Sequence, residues 1–169
     1  MLKQPELKWG LIAGAICVGR LFVEYLTGFY QNPLAEYTGY LALLVIAGGL
    51  VGAQWNRRKS VGTAAFTYGQ AFRSGMFAAF ISGIIIGGGY YIYYAYLNTG
   101  APDSIAKSMI EYYTKLKEKP ENIARYVSDM RSFYSPGSQF VYGSGAATLF
   151  GLIVCILSSA VVMKKAEQA

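Results

Sequence analysis

The stretch SGMFAAFISGIIIGGGYYIYYAY, Ser74 to Tyr96, runs for 23 residues without one charged side chain. As a helix rising 1.5 Å per residue it would extend about 35 Å, enough to cross a hydrocarbon core of about 30 Å. Nothing in it alternates with the two-residue period of a half-buried strand. It therefore reads as a membrane span, and the rest of the chain repeats the pattern. Trp9 to Tyr30, Thr38 to Trp55 and Phe140 to Met163 are the other three apolar runs. The second is the shortest, about 27 Å long, and crosses only if it stands nearly upright. The expected fold is an all-α integral membrane protein of four transmembrane helices, a single membrane domain over residues 1–169.

Composition agrees. Of 169 residues, 54% are hydrophobic and 14% charged, an apolar-rich and charge-poor balance. The net charge is +6 and histidine is absent, which excludes a histidine pH switch, a His-ligated metal and any Ser/His or Cys/His catalytic pair. Cys17 and Cys155 each lie in an apolar run and read as small buried hydrophobes rather than a disulfide framework or a zinc site. Lys3 and Lys8 precede an apolar run in which AGA, Ala13 to Ala15, mimics a signal cleavage site. The apolar core before it is too short, so the segment reads as an uncleaved first span.

Basic residues resist translocation and orient the spans. Lys3, Lys8, Arg57, Arg58, Lys59, Arg73, Lys164 and Lys165 all fall on one side of a four-span chain, whereas the QNPLAEY turn on the other side carries none. Both termini are expected in the cytoplasm of a bacterial cell, with the protein in the inner membrane. The NRRKS run beside Trp55 reads as a topology signal and a contact for anionic lipid heads, not as a nucleic-acid patch. Trp9 and Trp55 mark the inner interface; Tyr30, Tyr37, Tyr40, Tyr90 to Tyr96 and Tyr142 mark the outer. The stretch VGTAAFTYGQAFRSG, with Phe66, Phe72 and Met76, is expected to lie along the inner interface before the third span, as an amphipathic entry to that helix or, alternatively, a docking surface for a cytosolic partner.

The outer loop, residues 98–139, carries its own pattern. Ile105, Met109, Tyr112, Tyr113 and Leu116 recur at three and four after APDS, whose Pro102 and Asp103 suit a first helical turn. Pro120 breaks that helix and starts another, lined by Ile123, Tyr126, Val127 and Met130 up to the SPGS turn. The expectation is an extracytoplasmic helical hairpin that caps the bundle with its apolar faces.

Lipid gives apolar helices no hydrophobic reason to associate, so small residues must let backbones approach. Helix three offers Ala71, Gly75, Ala79, Gly83 and Gly87 at a spacing of four, and the last helix offers Gly143, Ala147, Gly151, Cys155 and Ser159. Close contact between these two helices is expected. Gly48 and Gly52 on helix two and Gly10 and Gly14 on helix one extend the scheme. Gly88 and Gly89 suggest a kink, π-bulge or hinge near the outer third.

Arg20 and Glu24 lie inside the first apolar span, where ionisable groups are expensive and invite a functional hypothesis. Four residues apart, they share the face Gly10, Ala13, Cys17, Arg20, Glu24, Thr27 and Gln31, which should point inward, while Leu11, Val18, Phe22 and Phe29 suit lipid. Counting rise from the inner interface puts Arg20 near mid-bilayer and Glu24 at the level of Tyr90 and Tyr91, with Thr148 near Arg20. These five residues form a candidate intramembrane polar pocket. Its alternative reading is a self-neutralised pair that fixes helix register.

LKWGLIAGAI, FTYGQAFRSGMFAAFISGII, YYIYYAYLNTG and IEYYTKLKEKPENI together resemble an uncharacterised bacterial membrane family, number 4199 among the domains of unknown function. Phe66, Gly69, Gln70, Ala71, Phe72 and Gly75 match the aromatic and Gly-Gln-Ala-Phe entry into a glycine-bearing helix associated with it. The resemblance implies a four-helix inner-membrane protein with no established activity, and it carries over no catalytic residue. Arg20 and Glu24 stand on the physical argument alone.

The leading functional reading is a non-catalytic scaffold or interaction protein, its partners being membrane lipids and a second copy or another membrane protein, with no nucleic acid. The alternative is a subunit of a small-solute or proton transporter built on Arg20 and Glu24. An enzyme is disfavoured because Glu24 is the one intramembrane acid among nine, which leaves no paired carboxylates. No cofactor or metal is expected.

Overall fold

The computed structural model describes residues 4–32 and 34–165. Lys3 and the Gln31 side chain, both used above, lie outside what it describes. Six helices account for most of the chain: α1 (Pro5–Leu26), α2 (Ala35–Ser60), α3 (Tyr68–Ile92), α4 (Ala101–Lys115), α5 (Pro120–Phe133) and α6 (Pro136–Val162). Four of them, α1, α2, α3 with its continuation to Leu97, and α6, are long and apolar enough to cross a membrane.

Each helix starts and stops by local chemistry, not where hydropathy ends. Prolines open α1, α4, α5 and α6 in the first turn, where the missing N–H costs nothing. Gly28 and Gly62, at φ +71° and +62°, supply the left-handed residues that end α1 and α2. Helix α1 therefore stops at Leu26, short of the expected Tyr30, and α2 carries NRRKS as a last helical turn beyond the expected Trp55. SPGS is not a turn: Ser135 caps α6 by accepting from the Ser138 N–H, and Pro136 begins the helix.

The expected interfacial segment is also corrected. Thr67 forms a capping box with Gln70, each side chain bonding the other's backbone N–H, so α3 begins at Tyr68 and runs unbroken. Only residues 61–67 link α2 to α3. Phe66 is buried there by a two-residue antiparallel bridge, its N–H and C=O bonded to Lys164 at 3.0 and 2.9 Å. That bridge joins the end of α6 to the α2–α3 link.

Helices α3 and α6 make the most extensive contact, followed by α1 with α3 and α1 with α2. A Cβ added at Gly151 would lie 2.5 Å from the Ala79 Cβ, and one at Gly83 would lie 2.7 Å from Thr148 Oγ1. Gly75, Gly87 and Gly143 are similarly closed, while Ala71, Ala79 and Ala147 are buried. On α2 the contact glycines are Gly49 and Gly52, against Ala13 and Trp9; Gly48 faces open space, so spacing chose the wrong member of the pair. Val18, assigned above to lipid, packs on Gly89.

The glycine triplet does not interrupt α3. The π turn lies further on, at Tyr93–Leu97, where the Asn98 N–H reaches back to the Tyr93 carbonyl at 2.8 Å. Tyr93, whose N–H still bonds the Gly89 and Tyr90 carbonyls, continues the inward face of α3 and is buried rather than part of an interfacial belt. Tyr91 and Tyr96 remain exposed. A chain of ring contacts runs from Tyr25 through Tyr93 and Tyr94 to Tyr134, Phe133 and Tyr142, and the Tyr25 hydroxyl donates to the Leu97 carbonyl at 2.6 Å. This aromatic seam joins α1, α3 and the α5–α6 junction.

Helices α4 and α5 pack on each other and not over the ends of the long helices. Tyr113 meets Tyr126 at 4.9 Å between ring centres, and Arg131 pairs with Asp103 at 3.0 Å. Beyond this mutual contact they join the structure chiefly where α5 runs into α6. The expected capping contact is thus not made: Tyr113 and Tyr126 meet each other, while Tyr112 and Leu116 of the same α4 stripe stay exposed.

Candidate functional site

Along α1 the face Gly10, Ala13, Gly14 and Cys17 is buried against α2 and α3, and the same face carries Arg20 and Glu24 one and two turns on. Their side chains are 23% and 13% exposed, with Arg20 Nε 3.4 Å from Glu24 Oε1. The contact is an ion pair without hydrogen-bond alignment, so both atoms are buried without a hydrogen bond. Arg20 spends a second nitrogen on α2, donating from Nη1 to Thr38 Oγ1 at 3.2 Å. Among the described residues, no tyrosine hydroxyl donates to Glu24.

Beside the pair lies a cavity of about 150 Å³, lined by Cys17, Arg20, Ile46, Tyr90, Tyr142 and Gly143 among others. Tyr90 reaches it because Gly143 has no side chain; a Cβ there would lie 2.5 Å from the Tyr90 ring. Of the five expected pocket residues, Arg20 and Tyr90 line the cavity, Glu24 pairs with Arg20 without lining it, and two lie elsewhere. Tyr91, next in sequence and so rotated about 100° around the helix, is 43% exposed. Thr148 donates to the Ser144 carbonyl at 2.8 Å within the α3–α6 seam. The structure therefore gathers Arg20, Glu24 and Tyr90, adding Thr38 and Tyr142.

A second charged cluster escaped the sequence reading. Because α1 begins at Pro5, Glu6 falls in its first turn, where a carboxylate suits the helix dipole. Glu6 is nearly buried; its Oε1 accepts from Ser74 Oγ at 3.1 Å and lies 3.6 Å from Arg57 Nε. Glu24 is thus not the one acid enclosed by these helices. The adjacent Pro5-Glu6 pair was the available signal, obscured by beginning the span at Trp9. Gln54 was missed too: fully buried, it donates to Ser159 Oγ at 3.1 Å across α2 and α6, next to Gly75 of α3. A polar amide within an apolar span marks such interhelical bonds.

Among the described residues the protein is all-helical, with four helices of membrane-crossing length and apolarity. It belongs to the family described as Protein of unknown function (DUF4199), which matches residues 8–164, nearly the whole chain. No curated protein and no solved structure matches it.

Proposed function

We propose that this is a multi-pass protein of the bacterial inner membrane, with the start of α1 and the end of α6 facing the cytoplasm. Its role is that of a non-catalytic interaction protein whose handle is the extracytoplasmic α4–α5 pair. The orientation is supported by the clustering of Lys8, Arg57, Arg73 and Lys164 at one end, where Glu6 meets Arg57 and Phe66 meets Lys164. The observation that carries the role is that α5 buries no residue and α4 buries only Ala106. Tyr112 and Leu116, four apart on one face of α4, are 60% and 59% exposed. Apolar side chains held out on an ordered helix are the usual mark of a partner surface.

Photo-crosslinkers at Tyr112 and Leu116, activated in intact membranes, should capture a second copy of this chain or one other membrane protein reproducibly. A crosslinker at Lys107, also exposed on α4, serves as the control. Equal capture from all three positions would defeat the reading. A second reading, a proton or solute path, is favoured only by the cavity at Arg20. It predicts a flux in proteoliposomes that Glu24→Gln and Arg20→Ala abolish while folding survives; such a result would replace the first reading.

A further inference from the structure

We propose that the cleft between the start of α1, the end of α2 and the start of α3 is a binding site for a phosphate group, occupied by the headgroup of an anionic phospholipid. The cleft has a volume of about 400 Å³ and combines Arg57, Arg73, Gln4, Gln70 and Ser74 with the apolar walls of Val61, Phe66 and Phe77. That size and mixture suit a small polar group with an apolar attachment.

Charge and hydrogen-bond bookkeeping select the ligand class. The cleft holds two guanidiniums and one carboxylate, Glu6, which already receives Ser74 and Arg57. Arg73 makes no ion pair or hydrogen bond among the described residues, although it lies on the same rim. Gln70 accepts from the Thr67 N–H through Oε1, which leaves its amide NH2 available to donate. The unspent groups are therefore donors carrying one net positive charge, and a guanidinium fork matches phosphate oxygens bidentately. A cation would meet two arginines, and a neutral ligand would gain nothing from the exposed, unspent Arg73.

The source of the phosphate is read from the wall that leaves the cleft. Phe77 is 46% exposed, and Phe80 and Ile84 continue the same outward face of α3 at spacings of three and four, 54% and 42% exposed. An acyl chain laid on this track keeps its headgroup at the cleft and its tail along the apolar span. The site rests on the membrane placement proposed above.

Purified protein is examined by native mass spectrometry with phosphatidylglycerol or phosphatidylcholine of identical chains. Phosphatidylglycerol should be retained about fivefold better, the gain expected of one arginine near an anionic headgroup. Arg73→Gln should erase the preference, and Lys8→Gln, at the same end but outside the cleft, should keep it. Should Arg73→Gln not fold, phenylglyoxal footprinting of the wild type gives the same readout: phosphatidylglycerol nanodiscs should slow modification of Arg73 relative to phosphatidylcholine nanodiscs. Equal retention of the two lipids, or a preference that survives Arg73→Gln, overturns the site. Displacement by millimolar inorganic phosphate overturns the lipid source and assigns the cleft to a soluble phosphate compound. Release of the wild type from membranes by alkaline carbonate would instead sink the membrane placement, independently of lipid preference.

Discussion

Gly87 and Gly88 are neighbours with opposite surroundings. A Cβ at Gly87 would lie 2.6 Å from the Phe140 carbonyl oxygen and strike the Ser144 hydroxyl; a Cβ at Gly88 would meet nothing within 4 Å. Gly87→Ala should cost about 1–3 kcal/mol by overpacking, whereas Gly88→Ala should be neutral or stabilise by up to about 1 kcal/mol by favouring the helix. Thermal unfolding in detergent separates the two. Spacing of four identified Gly87 correctly as a position on the α3 stripe, but the triplet's look of looseness was misleading, because Gly89 is filled by Val18. The Arg20–Glu24 pair makes a similar point about isolated charges. Replacing Arg20 alone by leucine leaves an enclosed carboxylate and should cost roughly 3 kcal/mol, while Arg20→Leu with Glu24→Leu should fall within about 1 kcal/mol of wild type. A double variant as unstable as the single one would contradict mutual neutralisation. Adjacent Tyr90 and Tyr91 were inseparable by depth, since depth along a helix says nothing about azimuth; only packing against Gly143 decides that Tyr90 is the inward one.

Among elements, α4 shows local rules and tertiary fit most openly. Its C-terminus is a paired turn in which the Glu118 N–H bonds the Tyr113 carbonyl and the Lys117 N–H bonds the Thr114 carbonyl. This places Lys117 at φ +57°, the left-handed position that glycine ordinarily fills. Lys117→Gly should stabilise the α4–α5 pair by about 1 kcal/mol, seen as slower amide exchange in both helices. Unchanged exchange would mean that another contact sets the pair's stability. Both helices were legible from their apolar periodicity and from Pro102 and Pro120. Their destination was not. An amphipathic stripe calls for an apolar counterpart but does not name it, and here α4 and α5 supply only part of it to each other, with Tyr113 on Tyr126 and Tyr112 left exposed. The π turn at Tyr93–Leu97 was likewise unreadable in position: it follows the glycines instead of falling on them, where Tyr93 meets the rings of Tyr25 and Tyr94.

For the whole molecule, the two native cysteines are buried, at 7% and 0% exposure, and offer a silent background for labelling. A cysteine replacing Glu111 should react with a membrane-impermeant maleimide on intact cells, and one replacing Lys59 should react only after lysis; the reverse pattern would invert the proposed orientation. What the sequence by itself determined is the number and apolarity of the helices able to cross a membrane, the presence of two shorter helices between the third and fourth, and the small-residue stripes. These follow from composition and periodicity within one segment, which a bilayer's thickness and a helix's rise translate directly into structure. Only the tertiary structure decided which glycines are closed, that Glu6 joins Arg57 and Ser74, that Gln54 reaches Ser159, and that the end of α6 bridges to Phe66. Those outcomes depend on the rotation and offset of one helix against another, quantities set by the simultaneous fit of many side chains and written in no single segment.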